Sequence, residues 1–163
     1  MLGLVPGIHV LFTSKDDTDA RNSPRMTSAR EDSTMDDKER YSAGMSVRRK
    51  VLGAAHVDKQ TAGKTAFNSD FQDLITRNVW GEVWTRPHFD ERTRRILVIG
   101  TMMALGTWDE FRLHVRAALS QGALTADDIK EIILQQTAYC GAPAGNHAFR
   151  EAGEIVKEVA AGR

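Results

Sequence analysis

The chain has 163 residues, 41% of them hydrophobic, and its lysines plus arginines balance its aspartates plus glutamates at 22 each. That length suits one compact domain with a real core and is short for two, while zero net charge leaves nothing to draw a nucleic-acid backbone or an anionic membrane surface. A single cysteine excludes an intramolecular disulfide and a two-cysteine redox cycle within one subunit, which fits a reducing cytoplasm.

The opening "MLGLVPGIHVLF" is apolar, but no Lys or Arg precedes it, Pro6 and His9 interrupt it, and no small-residue cleavage site follows. It therefore reads neither as an export signal nor as the roughly 20 apolar residues that a bilayer crossing needs. The next stretch, "TSKDDTDARNSPRMTSAREDST", is too poor in large apolar groups to offset its ordering entropy. Residues 1–35 are expected to be a disordered leader, with Met35 or Met45 as an alternative start, and residues 36–163 the folded domain.

From Met35 onward the punctuation is helical, and no segment keeps the two-residue alternation of a half-buried strand. The fold class is all-α, a compact multi-helix domain. A first helix is expected over Asp36 to Leu52, stopped by Gly53. In "AFNSDFQDLITRNVWGEVW", Phe67, Phe71, Leu74, Ile75 and Val79 share one face, and the run ends before Pro87. Asp90 suits the cap of "DERTRRILVIGTMMALG", whose far half is apolar nearly all round and so belongs at the centre. Gly100 inside it costs about 1 kcal/mol against Ala, which predicts a close helix crossing there. Thr107 with Glu110, and Thr125 with Asp128, have capping-box spacing. The helices they open carry the stripes Trp108, Phe111, Val115, Ala118, Leu119 and then Ile129, Ile133, Gln136, Cys140. Pro143 suits the first turn of the last helix, whose Ala144, Ala148, Ala152, Ile155 and Val159 face inward. The C-terminal half is expected to be three antiparallel helices, and a core this small and alanine-rich favours oligomerisation.

Several residues invite a chemical reading. Cys140 precedes a helix N-terminus, which favours a thiolate, although an unpaired cysteine is usually a small buried hydrophobe. His147, with Glu151 four residues on, and His114, beside Phe111 and Ala118, both sit on the flank of an inner stripe, where an imidazole moves protons near neutral pH or is simply a satisfied structural group. Arg92 lies in the first turn of its helix, where a cation opposes the helix dipole, on one stripe with Ile96, Ile99 and Met103; a buried salt bridge or an anionic ligand would explain it. Arg86 and Arg94 are nearby cations that also read as solvated surface groups. Glu82 lies between Trp80 and Trp84, where burial would raise its pKa, or it is a helix-end ion-pair partner. Glu131 projects opposite its apolar stripe, and Asp128 is explained as a cap. Metal-ligand spacings, a phosphate loop and a dinucleotide fingerprint are all missing from the sequence.

The stretches "RYSAGMSVRRKVLGAAHVD", "FQDLITRNVWGEVWTRP", "ERTRRILVIGTMMALGTWDEFRLHVRAAL" and "DDIKEIILQQTAYCGAPAGNHAF" together resemble the carboxymuconolactone decarboxylase family, within the alkylhydroperoxidase-like superfamily, over nearly the whole domain. The resemblance implies a hexamer of all-helical subunits that removes CO2 from 4-carboxymuconolactone, a small lactone dicarboxylate of protocatechuate catabolism. It implies neither a metal nor an organic cofactor, because the conjugated lactone carbonyl is itself the electron sink. On that reading Arg92 or Arg86 anchors the carboxylate arm with Arg94 and Trp84 beside them, and His114 is the acid or oxyanion donor. Glu82 or Glu131 then assists proton handling, with Cys140 and His147 as pocket lining or proton donors. Arg95 and Gly145 stand where the family has other residues, which bears on the lactone accepted. Peroxide-reducing members of the superfamily carry Cys-x-x-Cys with a histidine four residues further on; here Cys140 and His147 match, but Pro143 replaces the second cysteine. A one-cysteine peroxidase working with an external thiol, or a non-catalytic helical oligomer that binds a small molecule, are the alternatives.

Overall fold

The computed structural model describes residues 36–162, and the expected leader lies outside them. Helix α1 spans Asp37–Leu52. Asp36 caps it through a complete capping box with Glu39, and Gly53, at a φ of 90° that side chains other than glycine's rarely adopt, ends it. Helix α2, Ala54–Ala62, follows at once, and α3 covers Ser69–Ile75. The chain then widens into a π-helix over Thr76–Val83, seen in the Trp84 N–H donating to the Val79 carbonyl at 3.0 Å. Helix α4, Glu91–Leu105, starts on the Asp90 side chain as expected. Helices α5, Trp108–Ser120, α6, Ala126–Cys140, and α7, Ala142–Ala160, complete the domain; Gly141 alone separates the last two, and Pro143 sits in the first turn of α7. No strand occurs among the described residues, and no helix there is long and apolar enough to cross a membrane.

Two apolar clusters hold these elements. The larger gathers Ile99, Met103, Phe111, Val115, Ile133 and Ile155 with their neighbours from α4, α5, α6 and α7, each large side chain contributing about 1.5–3 kcal/mol. The smaller gathers Val51, Leu52, Val57 and Trp80, with Leu113 of α5 and Trp84 packed against it. Helix α5 thus serves both clusters, and the seam between them runs along it.

The smaller cluster is closed by a tight helix contact. A methyl added to Gly44 of α1 would overlap the Thr76 carbonyl and lie 2.8 Å from the Gly81 nitrogen, and one added to Gly81 would overlap the Arg40 carbonyl. Backbone therefore meets backbone where α1 crosses the π-helix. The crossing expected at Gly100 also exists, against the side chain of Gln136 on α6.

One local expectation is corrected. Thr107 does not cap α5 with its side chain; its hydroxyl instead donates back to the Met102 carbonyl at 3.4 Å. The face of Phe67, Phe71, Leu74 and Val79 points outward in the single chain, at 100%, 60%, 50% and 42% exposure, while Thr76, Trp80 and Gly81 turn inward. From Thr76 onward the π-helix no longer keeps the α-helical period that grouped Val79 with Leu74 and Ile75.

Candidate active site

The charged groups that face inward are not the ones expected. Arg92 is on the surface: its guanidinium donates to both Asp128 carboxylate oxygens, at 2.9 and 2.6 Å, with half of the side chain exposed. Hydrogen bonds from that guanidinium and from the Thr125 backbone hold the Asp128 carboxyl far below the usual range. Asp128 also completes the capping box with Thr125, so the cap expected there is present and gains an arginine.

The buried arginine of α4 is Arg95, at 1% exposure. It donates to the Val51 carbonyl at 3.0 Å, to the Lys50 carbonyl at 3.4 Å and to Gln121 Oε1 at 2.7 Å, and its Nε reaches Glu91 Oε1 at 3.0 Å. It thereby satisfies carbonyls left over at the end of α1 and joins α1 to α4 and to the segment after α5. Burial raises the Glu91 pKa, but hydrogen bonds from Lys50 and Arg95 with their charges outweigh it and leave the group lowered. Arg95 is therefore packing machinery, and so is Gly145, where a side chain would run into Thr137.

His114 lies on α5 at the seam, partly buried, with Nδ1 sealed from solvent and lacking a hydrogen-bond partner. Burial first, then the Arg95 charge and His56, push its pKa from 6.5 down to about 4. The ring is therefore neutral at physiological pH. His56 on α2 is lowered too, by burial and then by Arg48 and Lys59. Arg48 of α1 is only 7% exposed. Its Nη1 donates to Thr76 Oγ1 at 3.2 Å and its Nη2 to Gln72 Oε1 at 3.0 Å, and burial lowers its pKa. Arg48 acts on His56, and His56 and Arg95 act on His114, while Glu91 pairs with Arg95.

The remaining expected residues are dispersed. His147 stacks on Trp108, centroids 3.9 Å apart and planes 3° apart, with its Nε2 3.1 Å from Glu151. Cys140 ends α6, half-buried, its sulfur 4.0 Å from Gln136 Oε1. No hydrogen bond joins Cys140 to His147 among the described residues. Glu82 is not buried between tryptophans: its side chain is 61% exposed, 3.6 Å from Arg40, because the π-helix turns Trp80 and Gly81 inward instead. Trp84 stacks on Trp80 at 5.0 Å. Arg94 donates to the Arg86 carbonyl at 2.7 Å and lies over Phe89, while Arg86 is exposed. Glu131 is exposed at the rim of a groove of about 530 Å³ that also takes in Arg92, Asp128, Ile96 and Gln136. The expected single crevice is thus several separate places.

Charge separates these places. The Arg92 groove holds one cation against two carboxylates, and a second groove of about 550 Å³, at Trp108 and His147, holds Arg112 and Arg150 against Asp109, Glu110 and Glu151. Both disfavour an anion, whereas the interior groups set Arg48 and Arg95 against the single carboxylate of Glu91 and include the neutral His114 ring. Among the described residues no three His, Cys, Asp or Glu side chains converge as metal ligands.

Residues 69–154 match the model of the carboxymuconolactone decarboxylase family. A 4-carboxymuconolactone decarboxylase of Acinetobacter baylyi is 43% identical over 125 residues, 77% of this chain and 92% of the relative. A nitrosuccinic acid decarboxylase of Metarhizium robertsii is 36% identical over 115 residues, 69% of this chain and 80% of the relative. A 4-carboxymuconolactone decarboxylase of Pseudomonas putida is 54% identical over 48 residues, 29% of this chain and all of the relative.

Proposed function

The chain belongs to the carboxymuconolactone decarboxylase family, and from that membership we propose that it is a carboxy-lyase converting 4-carboxymuconolactone to 3-oxoadipate enol-lactone in the protocatechuate branch of the β-ketoadipate pathway. The observation that carries this is the 43% identity extending over 92% of the Acinetobacter decarboxylase. The bond from the ring carbon to its carboxylate breaks, and its electron pair moves through the ring double bond onto the lactone carbonyl oxygen. CO2 leaves, and a proton added next to the carbonyl gives the product. The protein must stabilise the developing oxyanion, deliver that proton and hold the spectator carboxylate.

His114 is our choice for the oxyanion. A ring neutral near pH 7 donates a hydrogen bond without giving up a proton, as suits an enolate-like charge in a dry site. The charge balance of the two outer grooves argues against Arg92, Glu131 or His147 as dicarboxylate contacts. Incubating the assembled protein with 4-carboxymuconolactone and following CO2 release is the direct test. Turnover is the expected result, and a folded assembly that leaves the lactone intact sinks the proposal.

The Metarhizium relative motivates a second reading, a nitro acid as substrate. A nitro group also receives the electron pair that a departing carboxylate leaves behind, so the same pocket chemistry applies, and nitrosuccinate belongs in the same assay. A peroxidase through Cys140 is disfavoured because thiol and imidazole are turned to different partners. Replacement by serine should leave decarboxylation largely intact. We further propose that residues 36–163 are the catalytic domain and that it works as a cytoplasmic homo-oligomer, a hexamer.

A further inference from the structure

We propose that Arg48, where α1 meets α3 and the start of the π-helix, receives the carboxylate on the substrate's side arm; this rests on the decarboxylase reading above.

Two arginines are buried among the described residues, and they differ in one respect. Arg95 has Glu91, whereas Arg48 has only the neutral oxygens of Thr76 and Gln72 and no acidic partner among the described residues. Its Nε is sealed from solvent and unpartnered. Burying a guanidinium is costly unless an anion joins it, and removing such a charge often leaves a protein no less stable. Two of its five N–H groups are engaged, so three remain for a carboxylate, and the planar fork suits that shape. His56 on α2 feels the Arg48 charge, and His114 in turn feels His56.

The cover over Arg48 is lightly built. Of the residues in α2 and α3 only Val57 is buried, and Phe67 between them is fully exposed. The Lys64 to Asp73 ion pair, at 2.6 Å, ties the connecting segment to α3. Lifting this cover exposes little core, so a polar ligand enters from that side at small cost.

The test is steady-state kinetics with 4-carboxymuconolactone, together with thermal melting in the presence of adipate, an unreactive six-carbon dicarboxylate. For Arg48→Met the expected result is a KM raised at least roughly 30-fold, as loss of a buried charge partner implies, with kcat within about threefold of the parent. Its Tm in the absence of ligand is equal or higher, and adipate raises the melting temperature of the parent only. Arg48→Gln serves the same reading if the methionine variant does not assemble. An unchanged KM, or a lowered Tm with the adipate shift intact, makes Arg48 a packing residue and overturns the inference. Should the parent leave the lactone intact while adipate still binds through Arg48, the decarboxylase reading fails and the anion site stands; no adipate shift in an inert parent removes both.

Discussion

At the scale of single residues, His114 carries the sharpest expectations. Its replacement by Ala should cut turnover by roughly two to four orders of magnitude if the ring touches the reacting oxygen, and a near-parental rate rejects that role. The pH dependence tells a neutral donor from an imidazolium acid. With a folded pKa of about 4, kcat/KM should stay flat from pH 8 down to about pH 5 and fall below that, whereas an imidazolium acid loses activity as pH rises through the ordinary imidazole range. The same shift is a stability term with a definite sign. The folded pKa lies below the usual 6.5, so the unfolded chain binds the extra proton first, and stability present above pH 6.5 is lost as pH falls toward 4. About 2 kcal/mol should go between pH 7 and pH 5. His56 adds in the same direction, so His114→Gln flattens the loss only in part; urea titrations at the two pH values measure it. His114 was legible in the sequence as a stripe-flanking imidazole. Arg48 was legible in principle, since Gly44, Arg48, Val51 and Leu52 fall at helical spacing on the buried face of α1. A basic run such as "RRK" reads first as solvated surface, and nothing local marks which of its members turns inward.

At the scale of elements, the helices were largely readable because their signals are local. The Thr125 box, the Asp90 cap, Pro143 and the stopping glycines act within four residues of where they stand, as does the Asp36 box, which the sequence reading passed over by placing Asp36 inside the helix. The π-helix was not readable, because it sits at a tertiary contact: Gly44 and Gly81 bring two backbones together beside the inward-facing Trp80. Gly44→Ala should therefore destabilise by about 1–3 kcal/mol or more. It should also raise KM, since Thr76 on that segment holds Arg48. An unaltered melting temperature would mean that the crossing yields easily. Arg95 makes a comparable test on the other side of the seam. Arg95→Ala leaves the Lys50 and Val51 carbonyls without this donor and should cost about 3–5 kcal/mol in chemical denaturation. Gln121→Ala, which removes one of the shared contacts, should cost about 1 kcal/mol.

At the scale of the whole molecule, the apolar surface asks for a partner. Phe71, Leu74, Val79 and Val83 of α3 and the π-helix, Leu97 and Leu105 of α4, and Leu134 and Tyr139 of α6 are each at least 42% exposed in the single chain. Scattered surface leucines need no explanation, but a face of this kind on consecutive turns does. In the proposed oligomer the face that sequence periodicity grouped on α3 and the π-helix is expected to lie between subunits. It backs directly onto Thr76 and Gln72, which hold Arg48, so assembly and ligand binding are expected to be coupled. Leu74→Glu should disperse the proposed hexamer into smaller species in analytical ultracentrifugation while leaving far-ultraviolet dichroism unchanged. It should also weaken the lactone KM, because the cover over Arg48 loses its outer support. A dispersed variant with parental KM would separate assembly from binding, and an assembly that persists would place the subunit contact on α4 and α6, where Leu97→Glu makes the equivalent probe.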